Sequence, residues 1–88
     1  MNFIECCRRA KEHGLMLIRS KNDAQTDFDL QPYDGVEYEG WVYLDVWTAG
    51  TVCAVYDALS EQNQAHLASL PVLRVVDICW KIANKCAA

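Results

Sequence analysis

The sequence predicts an α+β fold: an N-terminal helix, a three-stranded antiparallel sheet, and two or three C-terminal helices packed on the sheet. Three observations predict it. Strand-like patterns cluster between residues 15 and 47, and helical spacing fills the chain after them, so the two kinds of element are segregated. The stretch 40–59 joins them: bulky residues alternate up to Trp47, then Val52, Val55, Tyr56 and Leu59 follow helical spacing. Finally, 88 residues suit one domain, 1–88, near the lower end of what a single core supports.

The first helix is expected over 2–13. Asn2 with Glu5 three residues on resembles a capping box, and Gly14 suits the position just past the end. Phe3, Cys7 and Ala10 form its apolar stripe, with Ile4 beside them. Leu15, Met16, Leu17 and Ile18 are a continuous apolar run, the mark of a strand buried on both faces. A turn at 21–25 leads to a strand over 26–30, with Phe28 and Leu30 on one side and Asp27 and Asp29 on the other.

Asp34-Gly35 is a two-residue hairpin signal. As a hairpin tip it would set Leu30 opposite Glu39 and Phe28 opposite Trp41, which mixes faces. Setting Phe28 opposite Leu44 and Leu30 opposite Val42 keeps the apolar residues together. That register predicts a meander, with Asp34-Gly35 a local turn in a longer loop. The third strand is then 41–47. Val42, Leu44 and Val46 face the core, while Trp41, Tyr43, Asp45 and Trp47 share the other face with Asp27 and Asp29.

Thr48 is the expected cap of the next helix. Helices follow over 49–59, 61–69 and 71–85, with Ser60 capping the second and Pro71 in the first turn of the third. The last carries Val72, Val75, Val76, Cys79, Ile82 and Ala83 on a wide apolar face.

The net charge of −4 conceals an uneven distribution. Between Lys21 and Arg74 there is no basic residue and there are nine carboxylates: Asp23, Asp27, Asp29, Asp34, Glu37, Glu39, Asp45, Asp57 and Glu61. Direct nucleic-acid binding through this interval is disfavoured, because phosphate contacts need Lys and Arg. No apolar run approaches the ~20 residues of a membrane span, and the N-terminus lacks the apolar stretch of a signal peptide. Five cysteines, an odd and irregularly spaced set, make a poor disulfide framework. Free thiols and a cytoplasmic location are the expectation.

Catalytic and metal signatures are missing. Asp27 and Asp29 start no calcium loop, since neither the glycine at its sixth position nor the glutamate at its twelfth is there. Cysteine and histidine spacings fit no zinc site. Cys53 and His66 lack any surrounding nucleophile–base motif, and the four glycines are isolated, so no phosphate loop exists. The expectation is a non-enzymatic protein with no cofactor and no metal.

Trp41, Tyr43 and Trp47 have two readings: core, if helices cover both sides of the sheet, or a protein-binding surface, if one side is open. The open reading makes Asp27, Asp29, Asp34, Glu37, Glu39, Trp41, Tyr43 and Asp45 the partner-binding set, facing a basic protein or nucleoprotein complex. The alternative is an assembly module that homodimerises through its C-terminal helices.

Residues 55–61, Val-Tyr-Asp-Ala-Leu-Ser-Glu, with Leu70-Pro71-Val72 and Cys79-Trp80-Lys81, resemble small uncharacterised phage and prophage proteins. The resemblance covers the C-terminal half and transfers no functional residue. In size and acidity the chain is also similar to phage-encoded anti-CRISPR proteins. That similarity implies an inhibitor that occludes a basic nucleic-acid-binding surface.

Overall fold

The computed structural model describes the backbone of residues 1–87 and side chains up to Lys85. Its elements are α1 (Phe3–His13), β1 (Met16–Ser20), β2 (Phe28–Pro32), β3 (Val42–Leu44), α2 (Val46–Ala58), α3 (Glu61–Ala68) and α4 (Val72–Ala87). The architecture is α+β, with the antiparallel sheet between the first helix and the C-terminal helices in the chain.

α1 starts as its sequence requires: Asn2 Oδ1 accepts the Glu5 N–H at 2.9 Å. Gly14, at φ 100°, ends the helix, and its N–H returns to the Ala10 carbonyl. The buried stripe is Phe3, Ile4, Cys6, Cys7 and Ala10. It packs on α2 and on the sheet, where the Phe3 and Phe28 rings lie 6.0 Å apart.

The strand order is β2-β1-β3, so β1 is central and the expected meander is corrected. β2 and β3 do not pair. Phe28 lies opposite Ser20 and Leu30 opposite Ile18, while Val42 and Leu44 lie opposite Ile18 and Met16. The physical reason is burial. Met16, Leu17 and Ile18 are apolar on both faces and all buried, which only a strand with neighbours on each side can satisfy fully.

The third strand is shorter than the expected 41–47. Asp45 leaves the sheet to cap α2, its Oδ1 accepting the Thr48 N–H at 2.6 Å, so Asp45 and not Thr48 is the N-cap. Val46 and Trp47 therefore stand in the first turn of a helix, both exposed, instead of on a strand. Val42, expected in the core, is 58 % exposed at the sheet edge, whereas Leu44 and Phe28 are buried as expected.

Ser60 caps α3 through the Asn63 N–H. The start of α4 is held from far along the chain: Gln25, at φ 56°, accepts the Val72 N–H on its side-chain oxygen at 2.8 Å. The core gathers Met16, Ile18, Phe28 and Leu44 from one face of the sheet with Cys7, Val52, Cys53, Val55, Leu67, Val75 and Cys79 from the helices. Cys6, Cys7, Cys53 and Cys79 are free and buried; Cys86 lies outside the described side chains. No helix among the described residues is long and apolar enough to cross a membrane.

Candidate functional site

The helices cover one face of the sheet only. Leu17 points to the other face, outside the main core, yet is 2 % exposed. Its cross-strand neighbours are Gln31 and Tyr43, and the aromatic loop between β2 and β3 joins the strands that carry them.

That loop is built by local rules. Pro32 ends β2 because it has no N–H to continue a ladder. Tyr33 donates its N–H to the Leu15 carbonyl at 3.1 Å. Asp34 Oδ1 accepts the Val36 N–H, an Asx turn that Gly35 completes at φ 88°. The Asp34-Gly35 pair is thus a turn inside a longer loop, as expected. Gly40, at φ 84°, then brings the chain back so that the Trp41 N–H reaches the Tyr38 carbonyl.

Side chains close over this frame. Tyr38 donates its hydroxyl to Asp34 Oδ2 at 2.9 Å, and Tyr43 donates its hydroxyl to Glu37 Oε1 at 3.0 Å. Tyr33 packs edge-on against Tyr43, centroids 5.4 Å apart. Arg19 stacks over Trp41 at 4.7 Å and pairs with Asp29 at 2.7 Å. Carboxylates that accept from phenols favour the neutral phenol. The Glu37 contact pushes Tyr43 up to about 12, and Asp34 raises Tyr38 in the same sense.

Of the sequence-expected set, Asp34, Glu37, Trp41 and Tyr43 come together in this surface, with Glu39 exposed on the same loop. Asp29 borders it through Arg19. Asp27 turns instead to the N-terminal amine at 2.6 Å and to Lys21 at 3.8 Å; the amine, first, holds its carboxyl below the ordinary range. Asp45 is occupied as the α2 cap. The charge is therefore partly compensated: Asp27, Asp29 and Asp57 each hold a cation, Asp57 being paired with Arg8 at 2.6 Å. Three carboxylates with no basic residue remain between Tyr33 and Tyr43. Sequence reasoning missed Tyr33 and Tyr38. Their signal was the interleaving of tyrosine with Asp34, Glu37 and Glu39 in a loop too polar to be core.

A second surface lies on the helices. An open groove of about 880 Å³ runs between α2 and α4, lined among others by Trp47, Gly50, Thr51, Ala54, Ala58 and Ile82. No cluster of three or more potential metal ligands exists among the described residues. Cys53 is buried, and burial pushes its thiol up, opposite to what a nucleophile needs; His66 is exposed on α3. Compared with known proteins, the chain matches no family model, no curated protein and no solved structure.

Proposed function

We propose that this protein is a non-enzymatic binding module whose 33–43 loop, with Asp29 and Arg19 at its border, docks on a basic protein surface. Surfaces that handle nucleic acid are the natural partner class, because they present clustered Lys and Arg, and occupying one would inhibit it. The observation that carries the reading is the paired Tyr38–Asp34 and Tyr43–Glu37 contacts. They order exposed aromatic rings beside uncompensated carboxylates. Ordered Tyr and Trp provide short-range affinity at little entropic cost, and the carboxylates steer encounter at long range.

The test is binding kinetics against the partner recovered by affinity capture. Removing charge with Asp34→Asn, Glu37→Gln and Glu39→Gln together should lower the association rate on the order of tenfold at low salt. Asp27→Asn with Asp29→Asn should do less, since those carboxylates already hold cations. Tyr43→Ala should mainly raise the dissociation rate. Raising salt from 0.1 to 1 M shortens the screening length from ~10 to ~3 Å and should slow association of the unaltered chain. Salt-independent association, or full affinity in the triple variant, rejects this reading.

A further inference from the structure

α2 carries apolar residues on its outward side as well as its inward one. Its inward stripe, Ala49, Val52 and Cys53, is buried in the core. Its outward stripe, Trp47, Thr51, Ala54 and Ala58, is spaced four, three and four residues apart, the seam pattern of helices packed side by side. An apolar helix face is ordinarily a buried one, yet Trp47 is 82 % exposed and the groove beside it is open. We infer that a second copy of this chain covers the face, α2 against α2, antiparallel across a two-fold axis.

Three observations favour that occupant. The surface carries both a projecting ring and a recess floored by Gly50, Ala54 and Ala58, which is what an isologous contact requires of one patch. Antiparallel pairing that seats Trp47 over the partner copy's Ala58 also sets Thr51 against Ala54, so the seam closes on itself. Charge agrees. The only charged residue of α2 is Asp57, already held by Arg8. Two chains of net charge −4 can therefore meet here without opposing carboxylates, as they could not through the 33–43 loop. A small ligand fits less well, because among the described lining residues none is charged and Thr51 supplies the one hydroxyl, which leaves little to orient a guest.

The face is confined to one side of α2 and the adjoining part of α4, small for a specific interface. The dimer should therefore be concentration-dependent. The inference goes beyond the loop-docking reading and shares no residue with it, so either can fail alone.

Sedimentation of the full chain from about 1 to about 500 µM tests it, a range that brackets a micromolar dissociation constant. The expected result is a shift from the 10.0 kDa monomer toward twice that mass. Ala54→Glu places two carboxylates at the axis on a residue that is exposed in the monomer. It should hold the chain monomeric throughout, with an unchanged circular dichroism spectrum. Trp47→Ala should weaken association at least tenfold. A monomer at every concentration overturns the inference, as does a dimer that both substitutions leave intact. A copurifying apolar small molecule seen by native mass spectrometry in place of a dimer would also overturn it.

Discussion

At the scale of single residues, the hydrogen bond from Tyr43 to Glu37 has a consequence that pH can read. A phenol held neutral by a carboxylate has a folded-state pKa above its unfolded value. Its contact therefore contributes stability below pH 10.0, the ordinary value, and loses it as pH rises through about 12. Absorbance titration of the tyrosinates should show a component near 12 that vanishes in Tyr43→Phe and moves down in Glu37→Gln. A wild-type titration that lacks the component near 12 would mean the contact does not persist in solution. Asp45 shows the same dependence on a single oxygen. Alternation along 41–47 favoured a strand residue there, but a carboxylate next to free helix N–H groups gains both a hydrogen bond and a favourable dipole. Thr48, the expected cap, became the donor to Asp45 instead.

At the scale of elements, the strand order follows from a cue already in the sequence. The run from Leu15 to Ile18 was legible as a strand buried on both faces, and in a three-stranded sheet that place is the centre. Matching Phe28 and Leu30 to Val42 and Leu44 hid it, because two strands that each pair with a third show the same alternation as two that pair together. The boundaries of α1 and α3 were readable because Asn2, Gly14 and Ser60 act through short-range geometry. The end of β3 was not, since it depended on Asp45 leaving the strand to cap the following helix in place of Thr48. The corrected placement separates two residues that the expected register grouped together. Leu44→Ala should cost roughly 2–5 kcal/mol in urea unfolding, while Val42→Ala at the open edge should stay within about 0.5 kcal/mol. Equal losses at the two positions would contradict this register.

At the scale of the whole molecule, the charge of the acidic interval is better compensated than its composition implies. The cations that answer it come from outside the interval: Arg8 crosses to Asp57, and Arg19 and Lys21 cross to Asp29 and Asp27. Arg19 and Asp29 are direct partners in the β1–β2 register, so this compensation becomes readable only once the pairing is known. The candidate site was accordingly legible in its loop residues, Asp34, Glu37, Trp41 and Tyr43, and not in Asp27, claimed by the N-terminal amine and Lys21, or Asp45, claimed by the local cap of α2. The Gln25 cap shows how far such contacts reach, joining the turn after β1 to a residue 47 positions later. First-turn helix amides ordinarily have no partner within their own helix and exchange quickly with solvent. The Val72 amide instead opens only when the distant turn lets go, so its deuterium uptake measures the integrity of residues 21–27. Gln25→Ala should speed that uptake by nuclear magnetic resonance while leaving amides in the middle of α4 unchanged. An unaltered Val72 rate would mean that the two ends of the chain are held together by packing alone.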